Sequence, residues 1–129
     1  MEFGLLLHTR QLVRSEDASK SFDQLWADAA QAEDLGFDHI WLGDSVTVLD
    51  KARGDCVTTM AALAARTEKV RLGAVPMLAA LRNPVLLAHA LATIDVISKG
   101  RVIASDRPGI ISSGNSPPAV CRPRRKPAV

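Results

Sequence analysis

Apolar and polar positions along the chain fall into blocks with two different periods. Residues 3–7, FGLLL, form a short unbroken apolar run, as a strand buried on both faces of a parallel sheet requires. The stretch from His8 to Lys20 is polar, shows no period and reads as a loop. In the segment that opens at Ser21, the residues Phe22, Leu25, Trp26, Ala29 and Ala30 recur at the spacing of an amphipathic helix. Ser21 is placed to cap its start. Gly36, just past Leu35, is placed to close it in the left-handed region. His39 to Leu42 gives a second strand, which stops at Gly43 and Asp44.

The alternation continues. Residues 45–57 read as a loop. Residues 58–67, TTMAALAART, are mostly strong helix formers, with Met60, Leu63, Ala64 and Thr67 on one face. A third strand spans Val70 to Val75, interrupted by Gly73. Asn83 followed by Pro84 is a helix start, with a capping residue and proline at the first helical position. That helix runs to Ser98, with Leu87, Ala88, Leu91 and Ile94 facing inward. Lys99-Gly100 ends it, and Arg101-Val102-Ile103 opens a fourth strand. The order β-α-β-α-β-α-β predicts an α/β protein of parallel βαβ units with right-handed crossovers. Two architectures fit, an open doubly wound sheet and a (β/α)8 barrel. A dinucleotide-binding sheet wants G-x-G-x-x-G after its first strand. Here the first strand runs into His8-Thr9-Arg10, which favours the barrel.

Composition narrows the class further. With 47% apolar residues and a net charge of only +2, the chain has the makings of a packed domain rather than a disordered protein. No apolar run approaches the roughly 18 residues of a membrane span. The apolar stretch Phe3 to Leu7 is followed by charge, so no signal peptide is read and a cytoplasmic location is expected. Cys56 and Cys121 have no metal or redox spacing and are expected to be reduced thiols. His8, His39 and His89 likewise show no metal-ligand spacing, and no metal is expected. Charge is uneven. Residues 104–129 carry net +4 and five of the seven prolines, leaving −2 for residues 1–103. The chain therefore divides into residues 1–103, an ordered α/β part, and residues 104–129, a Pro/Arg-rich tail expected to be disordered. Such a tail is read as solvated; binding to nucleic acid or to a Pro-recognising domain is the alternative.

Four stretches together resemble the luciferase-like monooxygenase family, the flavin- or deazaflavin-dependent oxidoreductases. They are FGLLL (3–7), AEDLGFDHIWLGDS (32–45), TTMAALAARTEKVRLG (58–73) and RNPVLLAHALATIDVISKGRVI (82–103). The resemblance implies a TIM barrel of roughly three hundred residues. This chain matches its first third, about three and a half βα units. After strand four the family has a glycine-rich turn, where this sequence has Ala104-Ser105-Asp106. The abrupt change reads as a frame change or premature stop in a gene for the full barrel, against the alternative of a genuinely short protein.

In a (β/α)8 barrel the active site lies at the C-terminal ends of the strands. Asp44 follows strand two and is the candidate catalytic residue, as a hydrogen-bond acceptor or proton carrier beside a flavin; the alternative is a cap in a βα loop. The resemblance implies an acidic residue here, often followed by His, where this chain has Ser45. Gly73, Ala74 and Val75 end strand three and are candidate cofactor contacts. In deazaflavin-using relatives a non-prolyl cis peptide backs the ring at this point, and Ala74-Val75 is the matching pair. Pro76 offers a cis bond one residue later, and a plain strand end is also open. His8, at the end of strand one, is a further candidate cofactor contact or else a loop residue. Arg82 pairs near the end of strand three or reaches a phosphate. Trp26 and Trp41 read as core.

By the resemblance, the cofactor is FMN or the deazaflavin coenzyme F-420, and the partner of the full-length parent is a small-molecule substrate. No nucleic acid and no membrane are expected. The 129 residues alone are expected to be an inactive fragment whose open sheet edges invite self-association. The competing reading is a non-catalytic half barrel that pairs with itself, or an interaction module.

Overall fold

The alternation of periods becomes an alternation of strands and helices. A computed structural model describes residues 1–7, 18–44 and 54–103. Strand β1 is Gly4–Leu7, α1 is Ala18–Asp34, β2 is His39–Leu42, α2 is Cys56–Arg66, β3 is Arg71–Ala74, α3 is Pro84–Ile97 and β4 is Val102–Ile103. A single 3-10 turn, Ala79–Leu81, precedes α3. All strand pairs are parallel, and the sheet order is β1-β2-β3-β4. Each strand therefore lies beside its neighbours in sequence. A barrel wall is built this way, whereas a doubly wound sheet reverses its order at a switch point. The partial TIM barrel is the architecture observed.

Register sorts the strand residues onto two faces. Leu5, Ile40, Leu72 and Val102 lie side by side, and Leu7, Leu42 and Ala74 form the next row on the same face. These pack with Leu25, Ala29 and Ala32 of α1, with Met60, Leu63 and Ala64 of α2, and with Ile94 of α3. The opposite face, which lines a barrel's interior, carries Gly4, Leu6, His39, Trp41, Arg71, Gly73 and Ile103. Trp41, read as core, lies half-buried on this interior face, outside the cluster packed against the helices. Its indole lies across the interior face, in space that two glycines leave open. A Cβ on Gly4 would meet Trp41 Nε1 at 2.8 Å, and one on Gly73 would meet Trp41 Cε3 at 2.7 Å.

Helix ends follow local chemistry. Gly36, at φ +80°, closes α1: its N–H donates to the Glu33 carbonyl, and the Phe37 N–H donates to that of Ala32. Lys99 and Gly100, both with positive φ, close α3 by the same pair of bonds, to Val96 and Asp95. Asn83 caps α3, its side-chain oxygen accepting from the Val85 and Leu86 N–H groups. Some expected boundaries move. α1 starts at Ala18, ahead of Ser21; its first turn is polar, so the apolar period could not reveal it. Ala30 is exposed and Ala32 takes its place in the core. α2 starts at Cys56 because Asp55 caps it, so the expected loop is shorter. On α3, Ala88 is exposed; it lies about 100° around the helix from Leu87. β3 lacks Val70 and Val75.

The N-terminal end of the sheet is pinned by two charged side chains. Glu33 accepts from the backbone N–H groups of Glu68, Lys69 and Val70. The Arg101 guanidinium donates to the carbonyls of Ala64, Thr67 and Val70 and to the Thr67 hydroxyl. It satisfies carbonyls left open at the C-terminus of α2. Among the described residues no helix is long and apolar enough to cross a membrane. His8, Ser45, Cys121 and the tail 104–129 lie outside the described residues.

Candidate active site

At the opposite end of the sheet, β2 and β3 run out side by side. After Leu42 the chain reaches Gly43 and Asp44, and after Ala74 it reaches Val75 and Pro76. The Val75 N–H still donates to the Leu42 carbonyl at 2.8 Å, and the Asp44 N–H donates to the Pro76 carbonyl at 3.3 Å. The Val75–Pro76 peptide bond is cis. The cis bond expected from the resemblance at Ala74-Val75 therefore falls one residue later, where proline makes it accessible.

Asp44 is the polar centre of this rim. Its side chain is only 4% exposed. Oδ2 accepts from the Leu78 N–H at 3.0 Å, and Oδ1 accepts from Arg82 Nη2 at 3.0 Å. The same Arg82 nitrogen donates to Asp55 Oδ2 at 2.8 Å. Asp55 Oδ1 in turn accepts from the backbone N–H and the hydroxyl of Thr58, capping α2. One guanidinium thus joins the end of β2, the start of α2 and the turn after β3. Burial would raise the Asp55 pKa, but the Thr58 and Arg82 hydrogen bonds outweigh it and hold the carboxyl below its ordinary range. Burial works against the Arg82 charge, and the two carboxylates more than reverse that, raising its pKa.

Cys56 sits directly behind this cluster. Burial, then the charges of Asp44 and Asp55, push its thiol up to about 12. It is a free, fully buried thiol and does not serve as a nucleophile at neutral pH.

The candidate residues divide by what they present. Gly73 is buried beneath the Trp41 ring, and the Ala74 side chain points to the helix layer. Val75 is 45% exposed at the rim. A Cβ at Gly43 would meet nothing within 4 Å among the described residues. His8 falls outside the described residues. Asp55 was missed by sequence reasoning, which left it in a loop. The signal was local: an Asp three residues before Thr58, at the head of a helix-forming run. Arg82 does pair near the end of β3, as one of its two expected roles had it. Among the described residues no cluster of His, Cys, Asp or Glu could hold a metal.

A family model for luciferase-like monooxygenases matches residues 1–116. The chain is 34% identical over 79 residues to an F-420-dependent glucose-6-phosphate dehydrogenase of Amycolatopsis mediterranei, a match covering 58% of this chain and 24% of that protein. It is 29% identical over 103 residues to the oxygenase component of a flavin-dependent trigonelline monooxygenase of Acinetobacter baylyi, covering 79% of this chain and 28% of that one. The solved structure of monooxygenase RslO1 from Streptomyces bottropensis aligns with a TM-score of 0.71 at 33% identity, over 81% of this chain and 32% of that chain. The chain thus spans about a quarter of the length of these curated relatives.

Proposed function

The chain belongs to the luciferase-like monooxygenase family, and from that premise we propose that its strand-end rim is one part of a barrel mouth that binds FMN or the deazaflavin F-420 for oxidoreduction of a small molecule. The observation that carries this reading is Val75. It is an apolar side chain left exposed at the rim while its backbone is tied to β2. A planar ring system needs such a wall. The bound flavin or deazaflavin supplies the redox chemistry. The chain's own residues bind it and orient it. Val75 offers the apolar contact, and Gly73 and Ala74 lead the strand up to it. His8, which follows Leu7 in the sequence, is proposed as a second contact on the strength of the sequence alone. Asp44 has both oxygens engaged and acts by holding the rim in shape.

Four strands make half a barrel wall. Leu6, on the interior face, is 48% exposed. On this reading the 129 residues bind cofactor weakly and do not turn it over unless further βα units complete the mouth. The outer edges of β1 and β4, unpaired among the described residues, favour a second reading, a half barrel that associates with itself in a non-catalytic role.

Titration of FMN and of F-420 into the purified chain, followed by cofactor fluorescence, tests the proposal. Saturable binding is expected, without turnover. Val75→Asp is expected to weaken it about tenfold, roughly 1.4 kcal/mol, with an unchanged Tm because Val75 is exposed. No binding of either cofactor, or a Val75→Asp variant that binds as well as the parent, would contradict it.

A further inference from the structure

Arg82 lies immediately before the cap of α3, yet its side chain reaches back to two carboxylates on other elements. A single nitrogen, Nη2, makes both bonds, 3.0 Å to Asp44 and 2.8 Å to Asp55. Asp44 passes the restraint on. Its second oxygen holds the Leu78 N–H, and its own N–H is held by the Pro76 carbonyl. These two points bracket Met77, and Val75 immediately precedes them, its own N–H donating to the Leu42 carbonyl at 2.8 Å. We propose that Arg82 is a positioning residue for the mouth: acting through Asp44, it fixes the turn from Val75 to Leu78 and so the surface that Val75 presents to the cofactor. The meaning given to the mouth rests on the function proposed above; the mechanical link does not.

Burial makes Asp44 dependent on Arg82. A carboxylate that is 4% exposed needs a cation or several donors beside it to offset its burial. Arg82 is the cation. Without it, Oδ1 loses its donor and the side chain gains by turning toward water, which weakens its grip on the Leu78 N–H. Asp55 does not depend on Arg82 in the same way, since Thr58 supplies it with two donors. Glu33 and Arg101 pin the far end of the sheet independently. Loss of Arg82 therefore acts on the rim and leaves the rest of the sheet in place. Both bonds come from one nitrogen rather than from the two arms of the guanidinium fork. A lysine ammonium, which is a point charge with three donors, can take over that role.

Amide hydrogen exchange by NMR, together with cofactor titration, tests this on the 129-residue chain. Arg82→Gln is expected to speed exchange at the Leu78 amide by about tenfold or more, the worth of one charge-assisted hydrogen bond. Exchange at Val70 and through α1 is expected to stay within about twofold of the parent. FMN or F-420 binding should weaken by a factor similar to the Leu78 change, and Arg82→Lys should restore both. Asp44→Asn should act on the same bond, so the Arg82→Gln/Asp44→Asn pair should be no worse than the more severe single variant; if Arg82→Gln fails to fold, Asp44→Asn alone carries the exchange test. An unchanged Leu78 amide overturns the proposal. So does acceleration spread equally over Val70 and α1, which would mean general destabilisation. A faster Leu78 amide with unchanged cofactor affinity overturns the link to the mouth. If the parent binds neither cofactor, the reading of the mouth fails, and Leu78 exchange alone decides whether Arg82 fixes the turn.

Discussion

Gly73 and Trp41 are defined by each other. The indole occupies the space above Gly73, where any Cβ would run into its six-membered ring. Gly73→Ala is therefore expected to destabilise the domain by about 1–3 kcal/mol, the usual cost of overpacking, and to shift tryptophan emission as the ring moves. Denaturant unfolding and fluorescence check this. An alanine tolerated at no cost would mean that the ring has room to move. In the sequence Gly73 showed as an interruption in a strand and as a candidate cofactor contact, not as the seat of a tryptophan ring. The period-two pattern already puts Trp41 opposite Ile40 and Leu42, but which face is the interior depends on where the helices pack. Asp44 was legible as a strand-end carboxylate. Its partners were not, because Leu78 and Arg82 lie 34 and 38 residues away.

Elements were legible where their signals are local. Asn83-Pro84, Gly36 and Lys99-Gly100 mark helix ends through their own backbone preferences, and the structure places helix ends at each. The polar first turn of α1 gave no such signal. Nor did the pin between Glu33 and the loop after α2, which joins residues far apart in sequence. That pin has a pH signature. Burial would raise the Glu33 pKa, but three backbone N–H donors and the Arg101 charge outweigh it and lower it from its ordinary 4.5. A carboxyl with a depressed folded-state pKa adds stability above its unfolded pKa and loses it as pH falls through the folded value. Domain stability should therefore decline as pH drops below about 4.5. Glu33→Gln should be less stable at pH 7 and should show a flatter decline on the acid side. Thermal unfolding between neutral and acid pH checks both. A Glu33→Gln profile parallel to the parent's would show that the carboxylate charge contributes nothing.

At the scale of the whole molecule, the alternation of strand and helix periods was enough to place the chain among parallel α/β folds, and the consecutive strand order makes it a barrel wall. Composition and charge carried no information about the site, which depends on strand ends brought together by long-range pairing. One face of the sheet is covered by helices, while the interior face keeps Leu6 exposed. On α3, Val85, Leu86, Val96 and Ile97 are exposed as well. Apolar surface of this extent is a second ground, beside the sheet edges, for the proposed self-association. The central claim is that the end of the sheet bearing Asp44 and Val75 is the cofactor-binding end. Backbone amide shifts of the labelled chain on addition of FMN or F-420 test it most directly. The largest shifts are expected at Gly43, Asp44, Val75 and Leu78. Shifts centred instead on Gly36 to His39 and Thr67 to Val70, at the opposite end, or no shifts with either cofactor, would contradict the account.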